Sequence, residues 1–177
     1  MSILTTILGI IAGVVILVLL AALFVKKEYA VQSQITIDKN SRVIFDYIKY
    51  LKNQAFYSKW VMMDPNAKMD YSGTDGTVGF ISAWDSENKN VGKGVQEVKK
   101  VADGARVDCE IRFERPFKNV AQTYMEVIPI SESNTTVKWG MLGENPYPFN
   151  LMNLFIPGML AKDLDTSLGT LKNNLEK

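Results

Sequence analysis

The sequence contains no histidine at all and only one cysteine, Cys109. Without histidine the chain cannot build the common zinc sites, a Ser-His-Asp triad or an imidazole acid–base pair. A single cysteine cannot form an internal disulfide, and the apolar, strand-like neighbours of Cys109 predict a buried, inert thiol. Any catalysis by this chain would therefore depend on carboxylates, tyrosine, lysine or arginine.

The sequence also lacks an excess of either charge, with 20 Lys and Arg against 19 Asp and Glu in 177 residues. No basic block stands out, and the aromatic residues are spread along strand-like segments instead of alternating with arginines. Nucleic acid is therefore not a predicted partner. Gly92 and Gly94 lie in a strand-like run with no helix behind them, which predicts a bulge or close packing and not a phosphate loop. No cofactor is predicted.

An uncharged apolar run extends from Ile3 to Val25 and is interrupted only by Thr5 and Thr6. At about 1.5 Å per residue, a helix of this length covers the roughly 30 Å hydrocarbon core of a bilayer. A cleaved signal peptide is the alternative, but the run has no basic residue before it, is unusually long and lacks a small-residue cleavage site after it. The sequence predicts a transmembrane anchor in residues 1–28 and a separate domain in residues 29–177.

Lys26 and Lys27 follow the apolar run directly, whereas the two residues before it carry no basic side chain. The positive-inside rule therefore predicts a single-pass membrane protein whose domain lies in the cytoplasm. Gly9 and Gly13 form a small-xxx-small pair that could hold a second helix, so a weak homodimer is a further expectation.

After the anchor, the periodicity predicts one strand, two short helical segments and six more strands. Asn40 or Ser41 caps the first helical segment, which ends near Asn53, and the second extends from Gln54 to Trp60. Alternating residues between turn signals predict the strands, at 29–37, 68–72, 77–85, 91–101, 106–114, 120–130 and 135–142. Short connections make neighbouring strands antiparallel, so the first strand must pair with a strand that comes late in the sequence.

The last segment, Pro157–Lys177, is the predicted helix around which the sheet closes. One apolar stripe at helical spacing consists of Leu160, Leu164, Leu168, Leu171 and Leu175. An isolated helix of this length is marginal in water, so its stripe must be buried. The predicted fold class is α+β, with a curved seven-stranded antiparallel sheet around this helix and a pocket where the helix fills the concave side incompletely.

From Val31 onward the chain resembles the SRPBCC or START-like superfamily, specifically its polyketide cyclase/dehydrase-like branch with the helix-grip fold. The resemblance rests on Trp60, Asp64-Pro65, Gly73, Gly76, Val78-Gly79, Trp84, Gly92-Lys93-Gly94, Gln96-Glu97, Arg115-Pro116-Phe117, Thr136 to Trp139, Asp163-Leu164, Leu168 and Leu171-Lys172. It implies a cavity for an apolar small molecule and no shared catalytic residue, because this fold hosts carriers, hormone binders, cyclases and chaperone activators.

Strand alternation places several apolar residues on the concave side, and the methionines among them suit an adaptable lining. The expected ligand-binding residues are Trp60, Met63, Phe80, Trp84, Phe113, Arg115, Met125, Trp139, Met141, Met159 and Asp163. Arg115 is either a bidentate contact for a ligand anion or a salt bridge at the rim. Asp163 is either a polar contact in the pocket or a solvated charge near the helix start.

The proline-broken apolar segment Gly143–Phe155 is a lid, a membrane-surface contact or a packed connection. The favoured function is binding of a hydrophobic molecule, such as a lipid, quinone or polyketide-like compound, between sheet and last helix. One alternative is an enzyme that cyclises or dehydrates a polyketide-like substrate with Arg, Tyr and Asp, although no paired carboxylates or activated nucleophile support it. Another is a protein-interaction module without a bound ligand.

Overall fold

The computed structural model describes residues 3–177 and has the predicted α+β architecture. The helices are α1 (Ile3–Ala22), α2 (Ser41–Ile48), α3 (Lys59–Met62) and α4 (Ile156–Leu175), with 3₁₀ helices at Leu51–Phe56 and Phe149–Leu154. The strands are β1 (Glu28–Ile37), β2 (Lys68–Ser72), β3 (Ile81–Asp85), β4 (Lys93–Ala102), β5 (Arg106–Arg115), β6 (Asn119–Ser131) and β7 (Asn134–Glu144). The two residues before the apolar run, on which the charge comparison partly rests, lie outside the described residues.

The seven strands form one antiparallel sheet in the order β1-β7-β6-β5-β4-β3-β2. Short turns keep β2 to β7 in sequence, so β1 pairs last, with Glu28 opposite Glu144 and Ile37 opposite Thr135. Because neighbours alternate in direction, β1 begins at the same end of the sheet at which β3, β5 and β7 finish. This end, marked by Glu28, Asp85 and Glu144, follows α1 directly and is called the proximal end.

The concave face of the sheet is the one that the alternation predicts. Along β5, Val107, Cys109 and Ile111 are buried, while the intervening Glu110 and Arg112 form an ion pair on the other face. The same alternation buries the inward residues of β6 and β7, namely Thr123, Met125, Val127, Val137, Trp139 and Met141. The prediction that Cys109 is a buried free thiol is confirmed.

α4 lies against this concave face and buries the predicted leucine stripe. Leu164, Leu168 and Leu171 are at most 1% exposed, whereas Leu160 and Leu175 at the two ends are partly buried. The buried leucines share one cluster with residues of β1, β6, β7 and α2. Full burial of a leucine side chain contributes roughly 1.5–3 kcal/mol, so this stripe is a main source of the attraction between helix and sheet.

The helical insertion after β1 differs from the prediction. Asn40 caps α2 as expected, but α2 ends at Ile48, and the predicted segment 54–60 is replaced by a 3₁₀ helix and α3. The cause is a distant carboxylate, because Asp75 accepts hydrogen bonds from the backbone N–H groups of Leu51 and Lys52 at 2.8 and 3.2 Å. These bonds hold the start of the 3₁₀ helix and end the continuous helical path.

Two predicted strands begin later than expected because of glycines with positive φ. β3 starts at Ile81 instead of residue 77, and Gly79 has φ +86°. β4 starts at Lys93 instead of residue 91, and Gly92 has φ +64°. A backbone in this region of φ cannot continue a regular ladder, so both ladders begin beyond the glycine.

α1 is exposed except at Leu19 and Ala22 near its end, and it ends before the predicted Val25. Its most apolar stretch of 18 residues has a mean hydropathy of 3.0, and none of that stretch is buried. By length and composition this helix is able to cross a membrane, and a signal sequence has the same properties. Apart from the adjoining residues and the nearby backbone of α1 itself, no described atom lies within 4 Å of a Cβ built on Gly9 or Gly13, so this face of α1 has space for a second helix.

Three asparagines, Asn145, Asn150 and Asn153, join the end of α1 to the domain and are called the asparagine cluster. The Asn150 amide donates to the carbonyls of Ala22 and Val25 at 2.6 and 2.7 Å. The Asn153 amide donates to Lys26 and Lys27 at 2.9 and 2.6 Å, and Asn145 holds Asn153 through a 2.7 Å bond. Ala22 is the last residue of α1 and the other three carbonyls follow it, so these amides bond carbonyls at and just beyond the helix end, where intrahelical partners are lacking.

The buried thiol predicts a pH dependence of stability. Burial raises the pKa of Cys109 to about 12, so the folded state keeps the proton that the unfolded chain loses near the ordinary thiol value. The stabilisation of the folded state by the protonated thiol is complete below the pKa of the unfolded chain. It is lost as the pH rises from that pKa toward 12. Between pH 8 and 10 the free energy of unfolding should fall by about 1–2 kcal/mol. Urea denaturation should detect this loss, and Cys109→Ala should remove it; an equal loss in the variant would assign it to other groups.

The asparagine cluster predicts that one amide controls access to Lys26 and Lys27. Asn153→Ala removes the two hydrogen bonds that this amide donates to the carbonyls of Lys26 and Lys27, each contributing about 1 kcal/mol, so the open form should become roughly tenfold or more populated. Trypsin cleavage after Lys26 and Lys27, followed by mass spectrometry, should accelerate by that factor. Asn174→Ala is the matched control, because it removes one amide bond to the Phe56 carbonyl far from α1. Equal cleavage rates in the two variants would contradict this role.

Candidate functional site

A cavity of about 280 Å³ lies between the concave face of the sheet, the first 3₁₀ helix, α3 and the start of α4. Its strand residues come mainly from the proximal half of the sheet, including Trp84, Phe113 and Met141. The distal half has no such space because the leucines of α4 and the buried residues Ile44, Phe45 and Ile48 of α2 fill it. The cavity therefore lies in the part of the concave side that these two helices leave uncovered.

Five aromatic side chains line the cavity, and all three tryptophans of the sequence are among them. The rings of Trp60 and Trp139 meet edge to face at 5.8 Å between centroids. Trp84 and Phe113 make a second edge-to-face pair at 6.0 Å. These rings present flat apolar surfaces toward the cavity, and edge-to-face pairing holds each ring at a fixed angle.

The indole N–H groups of two of these tryptophans are bonded within the protein. Trp139 donates to the Thr123 hydroxyl at 3.0 Å, and Thr123 donates in turn to the Gly140 carbonyl. Trp84 donates to the Val91 carbonyl at 3.1 Å. These two donors are therefore already satisfied, and their rings offer a ligand apolar contact.

Gly94 allows Trp84 to take its place in the wall. A Cβ at position 94 would lie 2.6 Å from the indole ring and 2.6 Å from the Arg112 carbonyl. The register between β4 and β5 also shifts between Lys93 and Gly94. The prediction that Gly94 serves close packing or a bulge is thus confirmed.

Polar side chains reach the cavity from the first 3₁₀ helix and the sheet. Gln54, Ser58 and Ser82 are all less than 9% exposed and line the wall. The one charged residue of the lining is Lys52, whose amine lies 4.7 Å from the centroid of the Tyr71 ring. Partial burial raises the pKa of Tyr71. Within residues 3–177 no carboxylate lines this cavity.

The structure brings five of the residues expected at the site into the cavity wall, namely Trp60, Trp84, Phe113, Trp139 and Met141. Two others lie on the inner side of the fold but outside the cavity. Phe80 is buried and stacks on Tyr71 at 6.1 Å. Met125 is buried in the distal half, where its sulfur accepts a 3.5 Å hydrogen bond from the Tyr57 hydroxyl.

The remaining four expected residues lie at the surface or in ion pairs. Met63 and Met159 are exposed and do not line the cavity. Arg115 pairs with Asp85 and donates to the Ser86 carbonyl at 3.2 Å. Asp163 pairs with Lys59 and so joins α4 to α3.

Sequence reasoning did not identify the contribution of the helical insertion to the wall. Gln54, Ser58 and Val61 line the cavity from the first 3₁₀ helix and the start of α3. One signal in the sequence could have indicated this contribution, namely the apolar stripe of α4. Leu160, at the proximal end of that stripe, also lines the cavity. A helical insertion packed beside Leu160 would share that space.

Arg115 belongs to a second, polar cleft beside the cavity. The cleft, of about 580 Å³, is lined by Asp64, Asn66, Lys68, Asp85, Glu87, Asn88 and Arg115. Two cations and three carboxylates leave no excess positive charge to hold an anion. In the part of the chain that the structure describes, no three acidic, histidine or cysteine side chains converge as a metal site would require.

Comparison with known proteins places the fold but not the family. No family model matches the sequence, and no curated protein matches it. The solved structures that it resembles include norcoclaurine synthase from Thalictrum flavum in complex with dopamine and hydroxybenzaldehyde. That pair has 11% identity and a TM-score of 0.63, and the match covers 84% of this chain and 86% of the synthase chain.

Two further solved structures have a similar fold. The Aha1 dimer from Colwellia psychrerythraea has 14% identity and a TM-score of 0.58, covering 84% of this chain and 96% of that chain. A protein from Thermobifida fusca has 13% identity and a TM-score of 0.57, covering 81% and 90%. At these identities the likeness concerns the fold alone. The chain therefore has a helix-grip fold, in which a seven-stranded antiparallel sheet surrounds a C-terminal helix.

Proposed function

We propose that this chain is a membrane-anchored member of the SRPBCC superfamily that binds an apolar small molecule between the sheet and α4. The observation that carries the proposal is the cavity wall, where Trp60, Trp84, Phe113, Trp139 and Met141 surround a space without carboxylates. Transfer of a charged group into such a space would be costly, whereas transfer of apolar surface is favourable. The ligand is therefore neutral or carries its polar group at the rim.

The size of the cavity limits what it holds. Ligand pockets commonly measure roughly 300–1,000 Å³, and this cavity, at about 280 Å³, lies at the lower limit. One ring system or one segment of an acyl or isoprenoid chain fits this volume better than a whole phospholipid. A quinone ring, a polyketide-like ring or the end of a lipid chain is accordingly the ligand class proposed.

α1 is the proposed membrane anchor, and residues 29–177 are the proposed binding domain. Lys26 and Lys27 directly after α1 favour a cytoplasmic position for that domain. Among the structural neighbours, norcoclaurine synthase holds two small aromatic molecules, dopamine and hydroxybenzaldehyde, which supports a small aromatic or apolar ligand for this fold. A homodimer remains a secondary expectation. Gly9 and Gly13 of α1 could hold a second helix, and one protein of similar fold, Aha1, is a dimer.

The enzyme alternative has fewer titratable side chains at the cavity than the sequence predicted. Arg115 and Asp163 lie outside the cavity and are engaged in ion pairs, so Tyr71 and Lys52 are the titratable side chains of the wall. A general acid or base must lie within hydrogen-bond reach of the reacting atoms. Tyr71 and Lys52 form the one pair in the lining that would favour chemistry, and both lie at its exposed side.

The binding proposal predicts that an apolar bromine-containing probe quenches the intrinsic fluorescence of the protein. All three tryptophans line the cavity, so 1-bromonaphthalene bound there contacts the emitting rings directly. Ala67→Phe fills part of the cavity from the loop before β2 and should weaken this quenching about tenfold, the effect of losing roughly 1.4 kcal/mol. Fluorescence titration of the full chain in lipid nanodiscs measures the effect.

Ala105→Phe is the matched control, because Ala105 lies in the exposed turn between β4 and β5, away from the cavity. Both variants meet the same lipid, so partition of the probe into the bilayer affects them equally. An unquenched parent protein, or equal titrations of the two variants, would reject binding in this cavity.

A further inference from the structure

We propose that the apolar surface around the second 3₁₀ helix lies in the headgroup region of the bilayer beside α1. This interfacial surface consists of Tyr147, Phe149, Met152, Leu154, Phe155 and Met159. Its occupant is the lipid bilayer, and the inference rests on the anchor proposed above. It adds a second contact between domain and membrane and sets the direction in which the cavity faces.

The interfacial surface exposes large apolar side chains close together. Phe155, Met159 and Leu154 are 70%, 66% and 62% exposed, and the other three members are also exposed. No charged residue occurs in the sequence between Glu144 and Lys162. Soluble surfaces seldom keep such a continuous apolar patch in water, and patches of this kind mark contacts with proteins or membranes.

The asparagine cluster fixes where this surface lies relative to α1. The amides of Asn150 and Asn153 bond directly to the carbonyls of residues 22 and 25–27. A 20-residue helix is about 30 Å long, which equals the thickness of the hydrocarbon core, so the end of α1 lies at its boundary. Phe149, Met152 and Leu154, which adjoin these asparagines in the sequence, must then lie at the same boundary.

The composition of the surface suits that depth. Phenylalanine and leucine form the apolar face of segments that insert about 5–10 Å into the boundary between headgroups and acyl chains, and tyrosine is enriched at the same depth. The Tyr147 hydroxyl donates to the Leu19 carbonyl at 3.3 Å, so its ring lies beside the last turns of α1. A second protein covering this surface would have to occupy the layer that lipid headgroups already fill around α1.

This placement turns the proximal end of the sheet, and with it the cavity, toward the bilayer. Leu160 lines the cavity one residue after Met159, and Asn90 and Val91 line it from the loop between β3 and β4 at the same end. An apolar ligand that leaves the bilayer then reaches the cavity without a long passage through water. The short distance also allows the rest of a long ligand to stay in the membrane.

The test measures membrane depth in the full chain, in vesicles of phosphatidylcholine and phosphatidylglycerol. Phe149→Cys and Phe155→Cys, each in a Cys109→Ala background, carry an NBD fluorophore at exposed positions where substitution disturbs no core contact. Val14→Cys reports the middle of α1, and Ile130→Cys is the matched control, an exposed apolar position at the distal end. Phosphatidylcholine brominated near the carbonyl or near the chain end quenches each label according to its depth.

The proposal expects positions 149 and 155 to be quenched, more strongly by bromine near the carbonyl than near the chain end, and position 130 to stay unquenched. Unquenched labels at 149 and 155 with a quenched label at 14 would overturn the interfacial surface and leave the anchor intact. An unquenched label at 14 would overturn the anchor as well. Blue-shifted but unquenched labels at 149 and 155 would mean that protein covers this surface, which also overturns the proposal. Quenching of tryptophan fluorescence by 1-bromonaphthalene tests ligand binding in the cavity, and its outcome is independent of these depth measurements.

Discussion

The burial of the α4 leucines in the concave side of the sheet is the interaction on which the rest of the structure depends. Leu164, Leu168 and Leu171 are almost completely buried against the distal half of the sheet. α4 runs from the proximal to the distal end of the sheet. Its first turn, before Leu160, carries the exposed Met159. The distal half is thus filled by packed side chains of α4 and α2, and the proximal half retains a cavity lined in part by aromatic rings.

Much of this fold follows from periodicity in the sequence. The two-residue alternation of β5 identifies the concave face, and the spacing of the leucines in α4 identifies the helix stripe that covers it. Both features are local, so a single sequence is sufficient to find them. The strand boundaries near Gly79 and Gly92 were less accessible, because positive φ angles are set by the tertiary structure.

The site was only partly predictable, for a physical reason. Alternation says which face a residue lies on but not which half of that face the helix fills, so Phe80 and Met125 look the same as Trp84 and Met141. Ion pairs between positions far apart in the sequence could not be predicted either. Asp163 pairs with Lys59, which is 104 positions away, and Arg115 pairs with Asp85, 30 positions away.

The asparagine cluster connects the fold to the proposed function. It joins α1 to a segment 125–128 positions later in the sequence and so holds the proximal end of the sheet beside α1. The cavity lies in that same half, among residues whose polar groups are largely bonded within the protein. The asparagine cluster and the cavity, together with the proposed anchor, support the proposal that this domain takes an apolar molecule at the membrane surface.

The most direct measurement is native mass spectrometry of the full chain, purified from the membranes of its own cells, with organic extraction of whatever accompanies it. This account predicts one defined lipid, quinone or polyketide-like compound at a ratio near one to one. A chain that is reproducibly empty and also rejects a panel of apolar probes would contradict it, and would favour a protein-interaction module in its place.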